Sequence, residues 1–501
     1  MAAVRQQKII LQVHRSYKGE LNIYFALMIA VIIPLILTMI EGSRINAMKL
    51  QLECVVDMGM DSVLAEYNRP LLEQYDLLFV DLAYEQPTGS LDHLKEHFAE
   101  YISYNLQPQK ELPILRIRDF LGLNMESVDI LAASRATDEQ GAVFRYMAVS
   151  YMLNKYGIDY VDDLQDMIAV TERTGLYDSD IMAENDNAQN AINSIEIPPP
   201  EDLEEGEEWN EPEKDDPTAS LNELRYQGIL PLVCGDEVSG ASIDPNSYVT
   251  GRSLVTGSGM EESWVECTPL VEGLLFNEYI MEKCGNYSQR KEGSPLCYET
   301  EYIIAGKNND TDNLRITAER ILLIRGGANS IYFFGNQELK AEAKALAVSL
   351  SFILLFPEFE LLFEGAIIAA WIYAESVVDV RQLLLGNRVP LFKGEGEWNL
   401  SLENALGLTV ETISDMVGEE SSSGEEESGL SYEDYLRLLL YMVPMEEKTG
   451  RCMDIVEMNI RNVAGYENFC LDQCIAALTF QMVFSSSYGY SFLMQRSCRY
   501  T

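Results

Sequence analysis

The stretch LNIYFALMIAVIIPLILTMI, residues 21–40, decides how the rest of the chain can fold. It is twenty residues long and has no formal charge. As a helix it spans about 30 Å, the thickness of a bilayer's hydrocarbon core. Its flanks differ. Residues 1–18 carry Arg5, Lys8, Arg15 and Lys18 and no acid. Basic residues stay on the cytoplasmic side of a membrane. The reading is therefore a single-pass cell-membrane protein, N-terminus cytoplasmic and C-terminal ectodomain extracellular. A cleaved secretory signal has an apolar region of only about 7–15 residues and ends on small residues. This run is longer and leaves through Ile40-Glu41-Gly42-Ser43-Arg44. A core helix of the same length would show a polar face.

Composition narrows the partners. The chain has 501 residues, 47% of them hydrophobic, enough for a substantial core. Its net charge is −44, and the four cations of the leader leave −48 on the remainder. Nucleic acid would be repelled, as would an anionic membrane surface. Nine cysteines are spaced without a C-x-x-C, so zinc-ribbon and thioredoxin-like readings gain no support. An extracellular location permits disulfides. Cys284 and Cys297 bracket the polar segment GNYSQRKEGSPL and form the first pair to test. Reduced, mostly buried thiols are the equal alternative.

Beyond the anchor the sequence stays helical. Ile45, Met48, Leu52, Val55 and, after Gly59, Val63 recur at steps of three and four. One helix is expected from Leu21 to about Glu66, kinked at Pro34, loosened at Gly59 and ended by Pro70. Next come a strand at YDLLFVDLA (75–83), an amphipathic helix at 90–106 capped by Ser90, a strand opening NMESVDILAASRAT (124–137), and helices over 138–156 and 159–194. The segment 195–217 holds eleven acids, one lysine and five prolines and reads as a solvated linker or loop. A second acidic loop is GEESSSGEEES, 418–428. Between them, YETEYIIAG (298–306) reads as a strand, and 311–325 as a helix stopped by Gly326-Gly327. Residues 337–356 form another helix, and 361–386 a buried central one, hydrophobic nearly all round. Glu358, Glu360 and Glu364 argue against a second membrane hairpin there. A short VPLF strand follows, then a helix from Ser431 with Asp434 as its capping-box partner, and another over about 449–461. Residues 474–484 and 490–500 read as a C-terminal hairpin.

The fold class is α+β. An N-terminal transmembrane helix continues into a long membrane-proximal helix, followed by a mostly helical ectodomain with short β-strands and the C-terminal β-hairpin. The segments are a basic leader (1–18), the anchor with its extended helix (19–70), a first ectodomain portion (71–194), the acidic linker or loop (195–217) and a second portion (218–501). One motif has enzymatic content: His93-Leu94-Lys95-Glu96-His97 fits the inverted zinc-peptidase pattern H-x-x-E-H. His93 and His97 sit one helical turn apart and Glu96 could act as base, but no third ligand is indicated. Glycine-rich phosphate loops and the G-x-S-x-G elbow are missing. Neither a cofactor nor a resident metal is expected.

Gly19 followed by FALMIAVIIPLILTMIEGSR (25–44) resembles the N-termini of TadE/TadG-like proteins of tight-adherence (Tad/Flp) pilus systems. The stretches 301–325, 371–392 and 429–443 resemble an uncharacterised family encoded in such pilus clusters of Gram-positive bacteria. The resemblance offers Gly19–Glu20 as the position at which a leader would be cut, with an uncut signal-anchor as the alternative; it implies packing through the helix that holds Tyr24, Pro34 and the Ile45–Val63 stripe, and partners among pilus or secretion-machine membrane proteins besides the bilayer. Prepilins of this kind usually carry glutamate five residues past the cut. Tyr24 stands there, which points to an accessory or minor pilin-like component rather than a filament subunit. The alternatives are a membrane-anchored zinc peptidase using HLKEH and a surface receptor or adhesin unrelated to pili.

Overall fold

The computed structural model describes residues 2–84, 88–106, 121–157, 228–234, 238–259, 264, 267–353, 360–409, 412–413 and 429–500. The expected acidic segments 195–217 and 418–428 and the helices over 159–194 lie outside the described residues. The rest is α+β, with antiparallel strands, a C-terminal hairpin and a long apolar N-terminal helix.

That helix, α1, runs Ala2–Leu64 with Pro34 inside it. Its character changes along its length. Fifteen large apolar side chains between Leu21 and Ile40 are exposed, whereas Met48, Leu52, Val56 and Val63 are wholly buried. The buried stripe packs on α3 (Leu91–Leu106) and on a four-stranded sheet. Helix α3 buries Leu94, Phe98, Ile102 and Leu106, and the Ser90 hydroxyl accepts from the Asp92 amide at its start. Gly59 does not loosen α1. A Cβ there would stand 2.8 Å from Ile102, so glycine lets α3 come close.

The sheet is built on β3 (Cys474–Ser486). On one side β2 (Leu123–Arg135) pairs with it from Leu123↔Ser486 to Arg135↔Ile475. On the other side β4 (Ser491–Arg499) pairs from Ser485↔Ser491 to Ala477↔Arg499, and β1 (Val80–Asp81) continues that edge opposite Cys474 and Ile475. Period-2 alternation turns Leu478, Phe480, Met482 and Phe484 into the core shared with α1 and α3. Phe98 stacks on Phe480 with centroids 4.1 Å apart. At 13 residues each, β2 and β3 are longer than the short strands expected.

The base of the sheet inserts into a helical head. Around it lie α2 (Arg69–Tyr75), α4 (Asp138–Tyr156), α5 (Pro269–Lys283), α6 (Glu299–Ala305), α7 (Asp310–Gly335), α8 (Gln337–Ile353), α9 (Glu360–Leu384), α10 (Tyr432–Met442) and α11 (Met445–Arg461). Helix α9 is the central one, packed by α7 and α8, and is mostly buried; it is a core helix and not half of a membrane hairpin. Helix α10 opens with the capping box of Ser431 and Asp434.

Several local expectations are corrected. Residues 75–83 form only the two-residue β1, because Tyr75 ends α2 and Asp76 takes a left-handed conformation (φ 52°) as its C-cap. Residues 299–305 are helical rather than extended. Their β-branched run is overridden by packing against α7, α10 and α11, and by Glu299 and Glu301 accepting the Gly285 and Tyr287 amides. Helix α7 runs through Gly326-Gly327 to Gly335. Both glycines are buried, and the neighbouring Arg325 and Asn329 bind α9. The VPLF strand reduces to one bridge between Val389 and Leu430. Helix α4 begins with three left-handed residues, Glu139 to Gly141.

Phe98 is the point at which α1, α3 and the sheet meet. Phe98→Ala is expected to lower unfolding free energy by about 3–5 kcal/mol, read by chemical denaturation of the full chain in detergent. A loss under about 1 kcal/mol would mean the core is not organised around this residue.

Candidate functional site

The apolar span is the first candidate. Fifteen exposed apolar side chains, each worth about 1.5–3 kcal/mol on burial, give this surface a large gain on leaving water. The helix is long and apolar enough to cross a membrane, and is compatible with a membrane anchor. Gly19 and Glu20 lie in its helical backbone; Tyr24 is exposed, 63%, and Pro34 lies within the same apolar surface. The stripe from Ile45 to Val63 is engaged within the chain, Ile45 half-buried and Met48, Leu52, Val55 and Val63 buried.

Where the span ends, α1 meets the sheet. The Tyr490 hydroxyl donates to Glu41 Oε1 at 2.7 Å, and the Arg44 guanidinium, paired with Glu41 at 2.9 Å, lies 4.2 Å from the Tyr488 ring centroid. Higher up, Arg496 approaches Glu53 at 3.9 Å, and the Tyr500 hydroxyl donates to the Leu64 carbonyl.

Among the described residues, no third ligand is drawn to the histidine motif. His97 Nδ1 lies 3.1 Å from Glu66, and its ring packs on Tyr84 with centroids 4.6 Å apart. Glu66 also accepts the Tyr84 and Tyr101 hydroxyls, both at 2.6 Å. The bond to Glu66, then burial, pushes the Tyr101 hydroxyl up to about 12; burial first, then the same carboxylate, raises that of Tyr84. His93 and Glu96 are exposed on α3. Among the described residues, the group of potential ligand atoms drawn within 4.8 Å is Glu457, Cys470 and Asp472. Cations already serve it. Arg252 contacts Glu457 at 2.7 Å and Asp472 at 2.5 Å, and Arg461 reaches Glu457 at 2.5 Å and Cys470 Sγ at 3.5 Å. These guanidiniums leave a metal no opening, and the cluster ties the 249–259 segment to α11 and β3.

Sequence reasoning missed the charges inside the head. On the most apolar helix, Glu375 and Asp379 lie one turn apart and fully buried. Arg325 from α7 binds Asp379 at 2.8 Å, and Lys393 binds both acids. Burial opposes the Asp379 charge, but Arg325 and Lys393 outweigh it and hold its carboxyl below the usual carboxylate range. Burial raises Glu375, which also accepts the Asn399 and Leu400 amides. Two acids at i,i+4 within the apolar stretch 366–380 were the available signal. The arrangement is a packed strut, with every charge engaged inside the protein.

The nine cysteines are free thiols. Of the two expectations, a Cys284–Cys297 pair or reduced and mostly buried thiols, this structure carries the reduced one. Cys284 is buried against Cys452, a contact that together with burial raises its thiol, while the Cys297 amide donates to Asp310. One cavity of about 320 Å³, lined partly by Leu323, Leu439, Met442, Arg320 and Arg451, opens between α7, α10 and α11.

A model of a family of unknown function (DUF5702) matches residues 207–486. No curated protein and no solved structure matches the chain.

Glu301 generates a pH test. It is fully buried, accepts the Tyr432 hydroxyl at 2.6 Å and the Tyr287 amide at 2.8 Å, and leaves Oε2 without a partner. Burial pushes its carboxyl up to about 7. The folded state therefore holds this proton where the unfolded chain, titrating near 4.3, has lost it. Stability falls as pH rises from about 4.5 to 7, by an amount on the order of 3 kcal/mol. Glu301→Gln is expected to flatten that decline in denaturant titrations at pH 5 and 7.5. An unchanged slope would show that Glu301 is ionised in the fold throughout.

Proposed function

The chain belongs to that family, and from the geometry of α1 we propose that it is a non-enzymatic single-pass membrane protein, an accessory or minor pilin-like component of a Tad/Flp-type pilus system. Its N-terminus is cytoplasmic, and its acidic ectodomain is displayed outside the cell. The observation that carries this reading is the continuity of α1, one helix that is exposed and apolar over Leu21–Ile40 and buried in the sheet core from Met48 to Val63. No flexible linker separates the span from the fold, so lateral force on the anchor is passed to the head through helical backbone. That suits a part that positions other membrane components of a pilus machine.

Basic residues before the span and the acidic excess beyond it support the orientation. The ionisable clusters of the head are bound to one another, which supports a load-bearing role over a reactive one. Tyr24 in place of the glutamate expected of a filament subunit supports the accessory role.

Cys54 is exposed on α1 beyond the span and offers the test. On intact cells a membrane-impermeant maleimide is expected to label the chain and to lose signal in Cys54→Ser. A Ser16→Cys substitution in that background, read on chains whose intact mass shows residues 1–19 retained, is expected to react only after permeabilisation. The reverse pattern overturns the orientation. Crosslinked protein from the same cells is expected to carry pilus-machine membrane proteins, and their absence overturns the pilus role while leaving the anchor intact.

A further inference from the structure

We propose that the β3–β4 turn, Ser486–Ser491, is a second membrane contact, an interfacial foot that sets Tyr488 and Tyr490 among the lipid headgroups beside α1. The inference rests on the anchoring reading above and adds to it.

Its first support is height. The span ends at Ile40, and Glu41 is the first charged residue beyond it. Tyr490 bonds to that carboxylate at 2.7 Å, and Tyr488 lies under the Arg44 guanidinium at 4.2 Å. Both rings therefore stand within a turn of helix of the point where α1 leaves the hydrocarbon.

The second support is direction. Strand β4 follows α1 outward, with Tyr490 beside Glu41, Arg496 beside Glu53 and Tyr500 on Leu64. From Glu41 to Leu64 the helix rises about 35 Å. Ten residues of strand, from Tyr490 to Tyr500, cover about 33 Å. The two lengths agree, so β4 lies alongside α1 without slack and the turn is the low end of the sheet.

Third, the turn is rigid. The Ser486 amide donates to the Tyr490 carbonyl and the Gly489 amide to the Ser486 carbonyl, both at 2.9 Å, with Gly489 in the left-handed region (φ 80°). The Ser487 amide reaches the Gly122 carbonyl at 2.8 Å and the Ser486 hydroxyl reaches the Leu121 carbonyl at 2.8 Å, which ties the turn to the start of β2.

Fourth, the chemistry suits headgroups. Residues 484–494, FSSSYGYSFLM, carry no charge in a chain of net charge −44. Tyr488 is 47% exposed and Leu493 is 67% exposed. Tyrosines are enriched at the headgroup level, where the ring meets apolar lipid and the hydroxyl meets water. Packing on α1 accounts for one side of each tyrosine. The uncharged run lies at the foot of the sheet beside the anchor's exit, and a bilayer surface continuous with the anchor suits it. With α1 and the foot both seated, the strands stand along the membrane normal and the tilt of the head is fixed.

The test uses the full chain in phosphatidylcholine vesicles, with p-benzoylphenylalanine replacing Tyr24, Tyr488 or Tyr156 in turn. Tyr24 lies in the span, and Tyr156 is a 42% exposed tyrosine at the end of α4 in the head. After irradiation, intact mass is expected to show a lipid adduct at positions 24 and 488 and none at 156. An adduct at 24 without one at 488 overturns the foot and leaves the anchor standing. No adduct at either position overturns both. Adducts at all three overturn the foot as a discrete contact, since the head itself would then lie on the bilayer.

Discussion

The burial of one stripe of α1, Met48 to Val63, against α3 and the sheet is the contact on which the rest of the structure depends. It converts an apolar span into part of a folded body. Because the stripe starts eight residues past the end of the span, the helix has no room to become a tether. Gly59 sets how near α3 can lie, and the Phe98–Phe480 stack locks α3 to β3. The same strand then carries the constraint into the head, since β3 begins at Cys474, beside the Arg252–Asp472–Glu457 latch, and ends at the turn beside Glu41.

The head adds stiffness by a different route. Its central helix is apolar enough to be taken for a membrane segment, yet it holds Glu375 and Asp379 on its buried surface. Removing one member of such a set leaves an unpaired charge in a dry interior, a loss of about 3–5 kcal/mol. Buried ion pairs are poor sources of net stability, but they fix which surfaces face each other. Here Arg325 and Lys393 bring α7 and the segment after α9 to a single position on α9.

Much of this was legible in the chain. The span, the Ile45–Val63 periodicity, the α3 stripe, the Ser431–Asp434 box and the C-terminal hairpin all follow from local pattern, because in each the residues that set the element lie within a few positions of one another. The failures have the opposite character. Residues 299–305 look extended by composition, and only distant partners, the Gly285 and Tyr287 amides, make them a helix. Gly326-Gly327 reads as a stop, but tertiary contacts to α9 carry the helix through. The candidate site divides likewise. The apolar helix is a local property and is readable in the sequence. The Glu41–Tyr490 and Arg44–Tyr488 contacts join residues more than 400 positions apart, and no local pattern announces them. His93-x-x-Glu96-His97 matched a motif by spacing alone, and the fold turns His97 toward Glu66 instead.

The central claim is that span and fold are one rigid helix. Hydrogen–deuterium exchange of the full chain in lipid nanodiscs tests it at the junction, residues 41–47, which lie between the exposed apolar run and the buried stripe. The account predicts slow exchange there, with protection continuous into Met48–Val63. Fast exchange confined to 41–47, between two protected segments, would reveal a hinge and contradict it.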